Sequence, residues 1–279
     1  MSSIHNDFDP TYLRQHRATI SPYRALISAQ KELVRDAWHR LKWDLRPDAR
    51  QSQRRLSLDR DRHQGAKAVI LCNGPSLLKT DFDSLRGSFT FGLNKINLLF
   101  SKCDFRPSCV VSINRLVLEQ NATFFNETEL PLYLSHKAAD RIQFRDNVRF
   151  LHMVNSHKFA RDISGSVNEG ATVTFVALQV AFHLGFTRVA LVGCDHNFAV
   201  QGKANATVLG KGDDKSHFDP NYFAHGVPWQ LPDLDASEMA YRLAKGVYEA
   251  FDREIVNCTE GGKLEIFRRC PLSEFLQAA

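Results

Sequence analysis

Between Gly170 and Asp195 an apolar helix and an apolar strand stand back to back, and few architectures bury both. Ala171–Leu184 is apolar almost throughout, Gly185 is a natural helix C-cap, and Arg188-Val-Ala-Leu-Val-Gly-Cys-Asp195 reads as a buried strand. A strand apolar on both faces belongs to a parallel sheet covered by helices on each side. The pattern recurs along the chain. Strand-like runs fall at 67–72, 88–92, 108–113, 131–134, 148–153, 188–194 and 254–258, with helical spacing at 93–101, 115–121, 171–185 and 236–251. The expected fold class is therefore α/β, a mostly parallel Rossmann-like sheet with helices on both faces. A length of 279 residues allows one large decorated domain.

The remaining segments read as additions to that domain. Residues 1–20 lack periodicity. From Pro22 to Leu45, the residues Leu26, Ile27, Leu33, Val34, Trp38, Leu41 and Leu45 fall at helical spacing behind a candidate N-cap, Ser21. Residues 46–66 are charged and Arg-rich, which predicts an exposed, partly mobile connector. The expected organisation is an N-terminal helical, basic extension over 1–65 and a Rossmann-like domain over 66–279, with a lid near 199–235. Up to Arg62 there are thirteen Lys and Arg against eight Asp and Glu, which equals the whole formal charge of +5. A basic extension suits an anionic membrane surface or substrate, though a solvated basic helix face satisfies the same pattern. No apolar run reaches bilayer length and polar residues follow Met1, so the expected location is the cytoplasm, with peripheral contact at the inner membrane through the extension. Six cysteines without a C-x-x-C pair predict buried thiols rather than a zinc site.

Candidate site residues cluster at strand ends. Ala68-Val-Ile-Leu-Cys-Asn-Gly-Pro-Ser76 is a strand running into a tight turn, and ligands of open α/β sheets sit at that end of the strands. Asn73, Gly74 and Ser76 lie there, Asn94 and Asn114 follow the next apolar runs, and Asp195 and His196 follow 188–194. Each Asn alone reads more readily as a turn former than as a ligand, but four such strand-end groups on one sheet favour a shared site. Gly170, Ala171 and Thr172 open the long helix, whose N-terminus suits a phosphate or carboxylate, or needs Thr172 or Asn168 only as a cap. There is no Walker A loop and no G-x-G-x-x-G. The segment 199–235 is long and aperiodic, as lids are. Its aromatic-rich end holds His217 and His225, either able to take a proton from an acceptor hydroxyl, and Tyr222, able to donate to a phosphate.

Ala68–Leu77, Gly92-Leu-Asn94, Ile113-Asn114 and Gly170–Phe198, in that order, resemble the bacterial sialyltransferases of glycosyltransferase family 42 and the related MptE-like (DUF115) proteins. The resemblance implies that Asn73, Ser76, Asn94 and Asn114 meet the donor, that Gly170-Ala171-Thr172 meets phosphate or sugar carboxylate, and that Asp195 holds the nucleoside. It implies transfer of an acidic sugar of sialic acid or Kdo type from a CMP-linked donor to a surface-glycan acceptor, with no obligatory metal or cofactor, no nucleic acid partner and scope for a homo-oligomer. His217 fits the MptE-like pattern as base and His225 the sialyltransferase spacing; His217 is favoured. Cys72 stands where the family has Gly, and His196-Asn197 where it has an aromatic pair. The MptE-like branch implies an alternative, ATP-dependent pterin diphosphoryl transfer with Mg²⁺ on Asp195, Asp213, Asp214 or Asp219. A third reading is nucleotide binding without turnover.

Overall fold

A computed structural model describes residue 30, residue 34 and residues 37–199 and 202–278. The expected irregular segment 1–20 and the first turns of the expected helix lie outside these residues. The chain divides into two compact units after Arg46. In the first, residues 37–44 are helical, with Arg40 Nε donating to Asp44 at 2.8 Å.

The second unit, from Pro47 onward, holds strands β1 (Lys67–Leu71), β2 (Phe89–Leu93), β3 (Cys109–Ser112), β4 (Leu132–Ser135), β5 (Val148–Leu151), β6 (Met153–Val154), β7 (Val167–Asn168), β8 (Arg188–Val192), β9 (Thr207–Leu209), β10 (Pro228–Gln230), β11 (Glu254–Asn257) and β12 (Arg268–Arg269). Its helices are α1 (Pro47–Asp59), α2 (Arg115–Gln120), α3 (Ala122–Glu127), α4 (Val173–His183), α5 (Leu234–Glu249) and α6 (Leu272–Gln277). Eight strands form one sheet in the order β12-β11-β8-β1-β2-β3-β4-β5, and every neighbouring pair is parallel. The expected α/β Rossmann-like class is what the chain adopts. β6 and β7 form a separate two-residue ladder, and β9 and β10 an antiparallel hairpin.

The strands are buried on both faces, as their apolar runs require. Ala68, Ile70, Phe91, Leu93, Val111, Val189 and Leu191 share a core with α4 and α5, while Val69, Leu71, Val110, Ala190 and Val192 between them are equally buried. Every residue from Thr174 to His183 is buried, so α4 is enclosed all round. Within it Gln179 is fully buried: its Oε1 accepts from Ala160 N (2.9 Å) and Asn168 N (3.2 Å), and its Nε2 donates to Asn168 O (2.8 Å). This one amide fixes the backbone leading into Gly170.

The connector expected over 46–66 is instead largely the helix α1. It lies along β5, the border strand, and supplies what a missing neighbour would. Ser52 Oγ accepts from Phe150 N at 3.0 Å, and Arg55 donates to Val148 O at 3.0 Å and Arg145 O at 2.6 Å. Arg149 and Arg62 both bond the buried Asp59. An unpaired edge is thereby closed by side chains. The partners are mostly polar, which is why the segment has too few apolar positions to announce a packed helix. The compact unit accordingly begins at Pro47 rather than Ala66. The opposite border, β12, is two arginines long.

Candidate active site

The sheet order reverses between β1 and β8. The chain steps outward from β1 to β5, then returns to place β8 on β1's other side and continues to β11. The carboxyl ends of these two strands splay into the crevice where open α/β sheets take ligands. Cys72 N and Gly74 N still pair with Val192 O and Gly193 O, both at 2.9 Å, so the crevice floor is rigid. A cleft of about 620 Å³ opens there, a size suited to a small organic ligand.

Gly74 belongs there for reasons of contact. A Cβ on it would lie 2.0 Å from Asp195 Oδ2 and 2.6 Å from Gly193 O. The same Oδ2 accepts from Ser76 Oγ at 2.7 Å and Ser76 N at 3.1 Å. Ser76 is therefore not a wall of the cleft; it orients Asp195, which is. Asn73 is buried against the cleft, and its Oδ1 has no donor among the described residues. An unmet buried acceptor costs about 1–3 kcal/mol, which a ligand N–H or O–H would recover.

Asn94, Asn114, Ala171, Thr172 and His196 line the walls, as the sequence places them. Asn94 (φ 48°), Ala171 (φ 57°) and His196 (φ 50°) are all left-handed, a cost that tends to persist where a site demands it. Asn94 Oδ1 accepts from Ser112 Oγ, and His196 Nε2 pairs with Glu238 at 3.2 Å. Asn114 is largely spent locally: Oδ1 caps α2 by accepting from Leu116 N and Val117 N, and its amide group donates to Gln230. Thr172 caps α4 through Thr174 N and its carbonyl takes Phe175 N at 3.2 Å, so of the first turn only Val173, which lines the cleft, has an N–H not spent on the cap. Gly170 sits behind the wall, where a Cβ would lie 2.2 Å from the Phe175 ring.

Residues 202–235 of the expected lid pack against the domain as an insert. Phe218 N donates to Asn73 O at 2.9 Å, Lys102 pairs with Asp219 at 2.9 Å, and Phe223 stacks on Trp229 at 5.4 Å. It carries His217 into the cleft with Nδ1 2.8 Å from Asp214 Oδ2 and the ring stacked 4.1 Å from Tyr222. Burial pushes the Asp214 carboxyl up, but the His217 hydrogen bond, its charge and the Ser216 and His217 N–H groups outweigh this, holding it below the usual range. A buried carboxylate on one imidazole nitrogen leaves the other to take a proton.

Two of the expected catalytic residues stand elsewhere. Tyr222 is buried behind His217, and burial raises its pKa despite hydrogen bonds from Lys95 N and with Asn94, so it braces the ring rather than meeting phosphate. His225 lies on the outer turn, its side chain 69% exposed beside an exposed Asp213 and outside the cleft. Its left-handed φ of 52° next to Gly226 turns it outward.

Other groups gave little sign in the sequence. Asp214, which the sequence offered only as a magnesium ligand for the diphosphoryl alternative, is instead the partner of His217. Lys95 is buried under the insert, donating to Tyr222 O at 2.6 Å with its ammonium 4.6 Å from the Phe223 ring centre; burial lowers its pKa to about 8. Arg115 and Lys137 line the cleft, each paired with a carboxylate at 2.7 Å, Glu119 and Glu169 respectively. Lys203, Lys211 and Lys215 are exposed and outside it. Gln179 alone had a signal, an amide inside an otherwise apolar helix. Among the described residues no group of three or more His, Cys, Asp and Glu converges to hold a metal. Nor is any described helix long and apolar enough to cross a membrane.

No family model matches the chain, and no curated protein matches it. Among solved structures it is similar to the MAf glycosyltransferase from Magnetospirillum magneticum AMB-1, at 17% identity and a TM-score of 0.44. The likeness covers 90% of this chain and 42% of that one, so this chain spans less than half of that protein. A likeness that slight carries no argument about chemistry.

Proposed function

We propose that this protein is a glycosyltransferase that moves an acidic sugar from a CMP-linked donor to a hydroxyl of a glycan acceptor. The observation that carries the reading is the Asp214–His217 pair facing a cleft at the sheet's switch point. The family resemblance of the motifs supports a CMP-linked donor.

In this mechanism His217, its Nδ1 held by Asp214, takes the acceptor proton on Nε2. The acceptor oxygen forms a bond to the anomeric carbon as that carbon's bond to the phosphate oxygen breaks. The electron pair leaves on the phosphate and CMP departs, with inversion at carbon. The N-terminal end of α4, through its dipole and Val173 N, stabilises the phosphate. Arg115 and Lys137 attract the acidic donor, Asn73 Oδ1 accepts from it, and Asp195 offers Oδ1 to a ribose hydroxyl while Ser76 occupies Oδ2. No step requires a metal ion.

Calorimetry with CMP, ATP and a pterin, each with and without EDTA, combined with His217→Ala, tests the reading. CMP binding indifferent to EDTA, with transfer abolished and CMP affinity retained in the variant, supports it. Magnesium-dependent ATP binding would point to diphosphoryl transfer. Nucleotide binding with no turnover of any donor would make the protein a binding module.

A further inference from the structure

Two cysteines stand side by side at the border of the sheet. β11 and β12 pair in parallel with Val256 opposite Arg268 and Asn257 opposite Arg269, and Cys270 N donates to Asn257 O at 3.2 Å. The next pair along that ladder is Cys258 and Cys270. Partners in a parallel ladder share a face, and neighbouring strands lie about 4.8 Å apart, within the Cα separation that a disulfide spans. Both residues are free thiols, already in hydrogen-bond contact with each other and 7% and 5% exposed.

Their surroundings differ. Arg268, bonded to Glu254 at 2.6 Å, also donates to the Cys270 sulfur, and a guanidinium is the neighbour that an attacking thiolate needs. The Cys258 thiol is pushed up to about 12, by burial first and then by Cys270, with Arg268 opposing the rise and Glu274 adding to it. Cys258 is thus the member that keeps its proton. Cys72 and Cys194 are also in contact, but Leu71 opposite Val192 puts Cys72 opposite Gly193, out of register with Cys194. The charge beside Cys72 is the Asp195 carboxylate, which opposes a thiolate.

The geometry points to Cys258 and Cys270 as a dithiol that a peroxide converts to a disulfide, with Cys270 attacking and Cys258 resolving. The Cys270 thiolate bonds to one peroxide oxygen as the O–O bond breaks. The other oxygen leaves as hydroxide, takes up the proton the thiol gave, and becomes water; a sulfenic acid remains on Cys270. The Cys258 sulfur then bonds to the Cys270 sulfur, and its proton departs with the displaced hydroxyl as a second water. Two thiols lose two electrons and one peroxide gains them. A small oxidant has a way in, because β12 is the last strand of the sheet and only two exposed residues long, and short borders open first. The bond closes a ring around residues 259–269. In that segment Thr259 Oγ1 accepts from Cys194 N at 3.0 Å and Lys263 N donates to Asp195 O at 2.8 Å, so the staple backs one wall of the cleft. The inference stands independently of the reaction proposed there.

The test exposes the native full chain to hydrogen peroxide, then counts thiols in denaturant and maps the peptides. Wild type should lose two of its six thiols, regain them in dithiothreitol, and yield one linked peptide pair, Cys258 with Cys270. In Cys258→Ser, dimedone should capture a sulfenic acid at Cys270; in Cys270→Ser, Cys258 should stay unmodified. The linkage is read on wild type, so the result does not hang on how the variants fold. Six thiols surviving oxidation, a link confined to Cys72 and Cys194, or a link between two chains would overturn the inference. A dimedone adduct on Cys258 in Cys270→Ser would overturn the choice of Cys270 as attacker.

Discussion

Asp214→Asn keeps the outline of the side chain and removes its charge. Asp214 Oδ2 is 2.8 Å from His217 Nδ1, and the two side chains are only 6% and 13% exposed. The carboxyl is held below its usual range, chiefly because the His217 hydrogen bond and charge overcome burial, so it is ionised at neutral pH. As the imidazole takes the acceptor proton it becomes a cation beside that carboxylate. Unit charges about 4 Å apart attract by about 4 kcal/mol at an effective dielectric near 20. With the proton about half transferred, the variant forfeits about 2 kcal/mol in the transition state, or about 30-fold in kcat. An amide can also present its N–H to Nδ1 and select the wrong tautomer, which adds to the loss. Donor affinity should be unchanged, because Asp214 does not line the cleft. Initial rates of CMP release, paired with calorimetric CMP affinity, separate the two. A kcat within about three-fold of wild type, or a loss that follows weakened CMP binding, would refute the role given to Asp214.

Four further outcomes are expected. His225→Ala should leave transfer within about two-fold of wild type, because the ring is solvated and outside the cleft; a large drop in initial rate would reinstate it as base. Gly74→Ala drives a Cβ into Asp195 and Gly193 O and should cost about 1–3 kcal/mol in urea unfolding together with CMP affinity; wild-type values would show that the turn yields. Ser52→Ala removes the hydroxyl that accepts from Phe150 N at the sheet border and should cost about 0.5–1.5 kcal/mol by the same assay, an unchanged value denying the bond a role. Lys95 has its pKa lowered by burial to about 8, so the unfolded chain binds more protons than the native one between there and the usual lysine value. Wild-type stability should therefore rise relative to Lys95→Met as pH climbs through that window, and parallel curves would deny the burial penalty.

What the sequence made legible was whatever depends on apolar periodicity. The strand runs at 67–72 and 188–194 and the enclosed helix behind Thr172 are where spacing placed them, because a doubly covered parallel sheet leaves a continuous apolar signature. From those strand ends it followed that Asn73, Asn94, Asn114 and Asp195 share one cleft, which they do. Hydrogen-bond partners left no such trace. Nothing in the residue types showed that Ser76 spends its hydroxyl on Asp195, that Asn114 caps a helix, or that Tyr222 lies behind His217 while His225 turns outward. The helix α1 was invisible for the same reason: it closes a border with Ser52 and Arg55, residues that read as solvated.

The hydrogen bond from Phe218 N to Asn73 O joins the segment carrying the proposed base to the strand end that grips the proposed donor. Base and donor grip thus meet across one backbone hydrogen bond. Excising the insert would take away this bond together with the base, so a donor-only fragment would also lose one of the contacts at Asn73, and point substitutions separate the two more cleanly.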